Sequence, residues 1–264
     1  MEKKLIYTTF KPQKDRPEYN DLLFEWIISL RTLGKYKGEI LVFDYSGEGL
    51  KNYKLEKFNV KVVELDSVSN YIISNKRNID VIPLLETYKN YLIAHFDMDI
   101  WFQTDINPMF NEIENSNGMY LAVEPNRSCN FRNGPEAFLS KYNENMKQIG
   151  GFVFGGFCSG RQEDYMSWLV TMQYLFDQKK WDIETWGADQ SIYQYIVDPE
   201  EDNLTALKWC ASHYLCEFKN GLWYLKDEPV GGLHLVGFGA GKLEEFDSKY
   251  RFKKIHSEIY NEYK

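Results

Sequence analysis

The chain is 264 residues long, 44% hydrophobic and 16% aromatic, enough to bury a large core, which excludes general disorder. Its formal net charge of −8 argues against a general nucleic-acid binder, whose affinity would rest on a basic face. No apolar run approaches the roughly 20 residues that span a bilayer, and the start Met1-Glu2-Lys3-Lys4-Leu5 turns polar too early for a secretory signal.

Residues 5–9 predict a strand ending in Thr8 and Thr9, and residues 11–20 a polar loop with two prolines. A helix follows, with Asn20 as its cap, Leu22, Leu23, Trp26, Ile27, Leu30 and Leu33 as its apolar stripe, and Gly34 as its stop. Residues 39–44 and 60–65 read as short strands. Residues 74–90 read as partly helical and broken at Pro83, and residues 91–96 as a strand. This β-α-β-β-α-β order predicts an α/β fold: an open, mostly parallel, twisted sheet with helices on both faces. Ligands of such sheets sit beyond the carboxyl ends of the strands. Farther on, Asn107-Pro108 opens a short helix, and residues 120–124 and 151–154 are strands. Ser159 with Gln162 fits a capping box for a helix reaching Leu175. Residues 187–197 form another helix, and short aromatic strands follow from Leu204. No repeat or flexible linker divides the chain, so a single domain over 1–264 is expected, with a regular half over 1–115 and a mixed half over 116–264. The four cysteines, Cys129, Cys158, Cys210 and Cys216, form no Cys-x-x-Cys pair, and are expected to be reduced and buried in a cytoplasmic protein.

The sharpest chemical feature is Tyr91-Leu92-Ile93-Ala94-His95-Phe96-Asp97-Met98-Asp99-Ile100-Trp101-Phe102. A buried strand ends in two carboxylates at i and i+2, which on an extended chain point the same way. Two like charges at the end of a core strand are costly without a counter-charge. A divalent cation such as Mg²⁺ or Mn²⁺ supplies one, because it favours carboxylate and phosphate oxygens together. The alternative for a lone Asp-x-Asp is a polar turn closing the strand.

The longer run from Asp97 through Thr104-Asp105-Ile106-Asn107-Pro108 to Phe110 resembles the Asp-x-Asp region of GT-A-fold nucleotide-sugar glycosyltransferases. It is most similar to the retaining family 8 group, which includes bacterial lipopolysaccharide galactosyltransferases and glycogenins. Three further segments agree in order. Gly150-Gly151-Phe152-Val153-Phe154-Gly155-Gly156 resembles the glycine-bearing strand beside the donor sugar. Trp186-Gly187-Ala188-Asp189-Gln190 resembles an Asp-Gln helix start, and His234-Leu235-Val236-Gly237 a late His-x-x-Gly. Lys242 departs from the family spacing by two places and lacks the Pro-Trp that follows there. The strand at Gly150 lacks the Asn-Ala-Gly of many relatives.

The resemblance implies a GT-A fold whose 1–115 half binds the nucleotide sugar and whose 116–264 half takes the acceptor. It implies that Asp97, Asp99 and His234 hold Mn²⁺ or Mg²⁺ on the donor diphosphate, with Thr8, Thr9, Arg77, Met98, Gly237 and Lys242 among the donor contacts. It places Asp189 and Gln190 as the catalytic pair near the anomeric carbon. The implied activity is metal-dependent transfer of a hexose from a nucleotide sugar, UDP-linked in that group, to a hydroxyl of a glycan, lipid-linked or protein acceptor, with retention. Two other classes stay open on the residues. One is an Asp-based phosphohydrolase using Asp97 as nucleophile, which Trp101 and the mid-chain position of the motif disfavour. The other is a non-catalytic carbohydrate or nucleotide-sugar binding module. The tail over 249–264 interleaves Lys249, Arg251, Lys253, Lys254 and Lys264 with aromatic and aliphatic residues. It reads as a solvated terminal helix, with peripheral contact to an anionic membrane surface as the alternative.

Overall fold

The structure, a computed structural model, describes residues 3–12, 18–46, 50, 55–68, 72–125, 135–185 and 187–235. The first half runs β1 (Lys3–Phe10), α1 (Glu18–Thr32), β2 (Glu39–Asp44), β3 (Val60–Glu64), α2 (Ile73–Asp80), α3 (Ile82–Leu85), β4 (Tyr91–Phe96), β5 (Ile100–Phe102) and α4 (Asn107–Glu114). The second half continues with β6 (Tyr120–Pro125), α5 (Glu136–Gln148), β7 (Gly151–Arg161), α6 (Gln162–Asp177), α7 (Ala188–Ile196) and the short strands β8 (Cys210–Ser212), β9 (Glu217–Lys219), β10 (Leu222–Leu225), β11 (Glu228–Pro229) and β12 (Gly232–His234). Among the described residues, no helix is long and apolar enough to cross a membrane.

The central sheet has six strands in the order β3-β2-β1-β4-β7-β6. β1 to β4 pair in parallel, while β7 runs antiparallel to both β4 and β6. Side chains alternate across a strand, and the core splits accordingly. Ile6 and Phe10 of β1, Ile40 and Val42 of β2, and Leu92, Ala94 and Phe96 of β4 face α1 and α4, whose Trp26, Ile27, Met109 and Phe110 cover them. Leu5, Tyr7, Leu41, Phe43 and Ile93 face the other way, against Leu85 of α3, Leu169 and Met172 of α6, and Ile192 and Tyr193 of α7. The helices therefore lie on both faces. Strands covered twice in this way read as continuous apolar runs, and the bounds of β2 and β4 follow those runs residue for residue.

Three local expectations change. α1 begins at Glu18, so Asn20 lies inside the helix rather than capping it. The break before α3 falls at Val81, and Pro83 stands in the first turn of α3, where its missing N–H costs nothing. β7 does not stop at Phe154 but runs to Arg161, and Ser159 lies within it. The Ser159 hydroxyl donates to the Tyr120 carbonyl at 3.0 Å, so it caps no helix. α6 instead starts after Arg161, in extended conformation and without a side-chain cap.

A smaller sheet, β5-β12-β8, stands beside the carboxyl edge of β4. β5 runs antiparallel to β12, with Ile100 opposite His234, and β12 runs parallel to β8, with His234 opposite Ser212. Gln103 ties the β10–β11 hairpin to it. Its amide donates to the Trp223 and Val230 carbonyls at 2.8 and 2.9 Å, and its carbonyl accepts the Trp223 N–H at 2.9 Å.

Candidate functional site

The Asp97 N–H donates to the Gly156 carbonyl at 2.8 Å, extending the β4–β7 ladder by one residue. The chain then turns, with the Ile100 N–H on the Asp97 carbonyl at 3.2 Å, and enters β5. Because β12 pairs with β5, His234 arrives opposite Ile100, and the Leu235 N–H closes on the Asp99 carbonyl at 3.0 Å. His234 Nε2 lies 3.3 Å from Asp99 Oδ1. One ligand atom from each of Asp97, Asp99 and His234 falls within 4.8 Å of the others. Burial alone would lower the His234 pKa, but the carboxylates of Asp99, Asp97 and Glu124 outweigh it and raise it. Two carboxylate oxygens and one imidazole nitrogen, partly open to solvent on the carboxylate side, are a donor set that fits Mn²⁺ or Mg²⁺.

Beneath this trio lies a buried ion pair. Arg77 of α2 is only 8% exposed. Its Nη1 closes on Asp97 Oδ1, its Nη2 reaches the Gly155 carbonyl at 3.1 Å and Asp189 Oδ2 at 3.4 Å, and its Nε donates to the Ser74 carbonyl at 3.1 Å. Each of its nitrogens thus has a protein acceptor, and Arg77 bridges the Asp-x-Asp turn to α7. Asn75, two residues earlier, fixes the start of α7. Its carbonyl accepts the Asp189 N–H at 2.9 Å, while its amide donates to the Ile183 and Thr185 carbonyls at 2.7 and 2.8 Å. Gly187 precedes α7 at φ +76, a conformation glycine takes without strain. Asp189 is 3% exposed, and burial pushes its carboxyl up to about 6 although Arg77 pulls the other way.

The floor between the two acidic centres is a bulge in β7. Between the pairs Leu121–Cys158 and Val123–Val153, the single residue Ala122 of β6 faces Phe154, Gly155, Gly156 and Phe157 of β7. A Cβ on Gly155 would stand 2.8 Å from Gln190 Cγ. One on Gly156 would stand 2.3 Å from Phe154 Cζ and 3.1 Å from Asp97 Oδ2. Glycine is required here because side chains from two other elements lie directly over the strand. Gln190, in the first turn of α7, holds its Oε1 buried with no hydrogen-bond partner among the described residues.

The structure thus brings together Arg77, Asp97, Asp99, Asp189, Gln190 and His234. Thr8 and Thr9 stand at the carboxyl end of β1, next to β4. Thr8 is fully buried and its hydroxyl lacks a partner among the described residues, while Thr9 is half-buried. Met98 turns its side chain into the core with Ile100 and Trp101. Gly237, Lys242, Trp186 and the tail over 249–264 lie outside the described residues. His95 is buried within β4 and packs against Tyr7, with ring centroids 5.0 Å apart and planes tilted by 46°; burial, with Arg77 nearby, lowers its pKa to about 3. Cys158 and Cys210 are buried and Cys216 is half-buried, all three as free thiols, and Cys129 lies outside the described residues. Sequence reading missed Glu124 and Ser212. Glu124 carried a signal, because a carboxylate closing the apolar strand Tyr120-Leu121-Ala122-Val123 raises the same question as Asp97.

No family model matches the chain, and no curated protein matches it by sequence. Solved structures do match. Mouse xyloside xylosyltransferase 1, in its apo form, aligns with a TM-score of 0.54 over 89% of this chain and 98% of that one, at 14% identity. The galactosyltransferase LgtC, in complex with donor and acceptor sugar analogs, aligns with a TM-score of 0.54 over 93% of this chain and 95% of that one, at 10% identity. The chain has the fold of GT-A glycosyltransferases. At these identities the likeness is one of fold, and the chemistry has to be argued from the site.

Proposed function

We propose that the chain is a metal-dependent glycosyltransferase moving a hexose from a nucleotide sugar, UDP-linked, to a hydroxyl acceptor with retention at the anomeric carbon. The observation that carries this reading is the meeting of Asp97, Asp99 and His234 at the carboxyl edge of β4, the place where open α/β sheets bind ligands. A divalent cation, Mn²⁺ or Mg²⁺, on those three side chains would neutralise the charge that develops on the departing diphosphate.

The other residues position the reactants. Arg77 holds Asp97 and Asp189 in fixed orientation. Gly155 and Gly156 leave room for the Gln190 side chain and the Asp97 carboxylate to lie over β7. Asp189 orients the sugar, and the Gln190 carbonyl, which has no donor among the described residues, faces positive charge building at the anomeric carbon. In the retaining reaction the acceptor oxygen bonds to the anomeric carbon as the bond to the phosphate oxygen breaks, and that oxygen takes the acceptor's proton. No separate carboxylate base is then needed, in keeping with Asp189 being buried and engaged by Arg77. Thr9, Gly237 and Lys242 complete the donor side in this proposal, with the side chains of Thr8 and Met98 buried. The acceptor is a glycan, lipid-linked or protein hydroxyl.

A thermal-shift panel of nucleotide sugars with and without Mn²⁺ tests the reading, because ligand bound to the native state raises the melting temperature by mass action. A shift with UDP-sugars that needs Mn²⁺ and vanishes in Asp99→Ala is expected. No shift with any nucleotide sugar would overturn the assignment.

A further inference from the structure

His234 has two ring nitrogens, and the proposed metal uses only one. Nε2 faces Asp99, and Nδ1 faces away from the site, into the protein. The parallel pairing of β12 with β8 puts Ser212 beside it, with Oγ 3.3 Å from Nδ1. Ser212 is fully buried, and its hydroxyl donates to Glu124 Oε1 in a short contact. Glu124 is also fully buried, and its Oε2 accepts the Tyr214 hydroxyl.

With Glu124 ionised, the hydrogen count on the Nδ1 side has one solution. A carboxylate can only accept, so the Ser212 hydrogen is committed to Glu124. The Ser212 oxygen then offers only lone pairs to the imidazole, and the partner must be an Nδ1–H. Without a cation, Asp99 Oδ1, 3.3 Å from Nε2, competes for a proton on that nitrogen; with a cation between Asp97 and Asp99, Nε2 offers it the lone pair while Nδ1–H stays on Ser212. The Phe154 ring, 4.7 Å away and tilted by 51°, packs against the imidazole face.

We infer that Glu124 and Ser212 are positioning residues that hold His234 as its Nδ1–H tautomer, with Nε2 aimed at the cation, and so set the affinity of the site for divalent metal. Partners behind a ligating histidine commonly change metal affinity by about 10–100-fold when removed. The inference rests on the reading of Asp97, Asp99 and His234 as a metal site. It adds a role for two residues that touch neither metal nor donor.

The test uses the full chain, with Mn²⁺ affinity from electron paramagnetic resonance titration and the His234 tautomer from ¹⁵N shifts of the neutral ring in metal-free protein. Wild type is expected to bind Mn²⁺ and to carry the proton on Nδ1. Ser212→Ala is expected to weaken Mn²⁺ binding at least about tenfold and to lose the Nδ1–H preference. Glu124→Gln replaces one accepting oxygen by an NH₂ donor, which frees the Ser212 hydrogen for Nδ1 and is expected to move the tautomer toward Nε2–H. Unchanged affinity and tautomer in both variants would overturn the inference while leaving the metal site standing. A wild-type chain that binds no Mn²⁺ would instead overturn the metal reading, and the tautomer shifts would still decide what Glu124 and Ser212 do.

Discussion

Arg77 is the residue whose removal should be most informative, because it serves two carboxylates at once. Arg77 and Asp189 are both buried, with 3.4 Å between Nη2 and Oδ2. Coulomb's law at an effective dielectric of about 20 gives about 5 kcal/mol of attraction at that distance. Desolvation of both ions offsets much of it, so the pair itself contributes little net stability. Removing one partner is a different matter, since a buried charge is left uncompensated at a typical cost of about 3–5 kcal/mol. The Asp97 side chain is 25% exposed, so water takes over part of the work there and its share is smaller. Arg77→Met, which keeps much of the length of the stem, is therefore expected to lose about 3–5 kcal/mol at pH 8.

The pH dependence makes the argument specific. Burial raises the Asp189 carboxyl from 3.8 to about 6 in the folded chain while Arg77 lowers it. A carboxyl raised in the folded state binds its proton more tightly there than in the unfolded chain. It therefore favours folding at low pH, and that contribution is lost as pH rises, in wild type between about pH 4 and pH 6. Without Arg77 only the hydrogen bond from the Gln190 N–H still opposes the burial and the Asp97 charge, so the carboxyl moves higher and the loss continues above pH 6. At pH 5 a protonated Asp189 needs no counter-ion, so the variant should be much closer to wild type than at pH 8. Urea unfolding followed by tryptophan fluorescence at the two pH values measures both quantities. An equal penalty at pH 5 and pH 8, or one below about 1 kcal/mol at pH 8, would refute the placement of Asp189 as a buried anion dependent on Arg77.

Gly156→Ala puts a methyl 2.3 Å from Phe154 Cζ and 3.1 Å from Asp97 Oδ2. It should cost about 1–3 kcal/mol of stability and weaken Mn²⁺ binding, read by calorimetric titration. Gln103→Leu removes three hydrogen bonds between β5 and the β10–β11 hairpin. It takes the Gln103 acceptor from the Trp223 N–H, while the Trp223 carbonyl keeps the Val230 N–H at 3.1 Å and the Val230 carbonyl keeps the Thr104 hydroxyl at 3.4 Å, so a loss of about 1–3 kcal/mol in denaturant unfolding is expected. Gln190→Ala should lower kcat by about tenfold or more, equivalent to roughly 1.4 kcal/mol, while leaving the melting temperature near wild type. Steady-state kinetics with a donor identified by the thermal-shift panel checks it.

What could be read from the sequence was whatever local pattern decides. β2 and β4 are apolar runs with polar ends, and the Asp97–Asp99 pair sits where such a run stops. β7 escaped in part because Gly155, Gly156, Ser159 and Gly160 look like a break. Its continuation is imposed by β4 on one side and β6 on the other, a tertiary override of poor strand propensity. The Ser159–Gln162 spacing matched a capping box, yet the nearby Tyr120 carbonyl competed for the hydroxyl and won. The pairings that build the site are longer-range still. Arg77 and Asp189 are 112 residues apart, and Glu124 and Ser212 are 88 apart, so neither pairing leaves a spacing to read. One physical rule nevertheless reaches both. Asp97 and Glu124 each end an apolar strand in the core, where an unpartnered carboxylate is costly, and each has donors supplied from distant elements. Asp97 was recognised because a second carboxylate two residues on announced it. Glu124 stood alone, and the same energetic reasoning applied to it would have demanded a partner without being able to name Ser212.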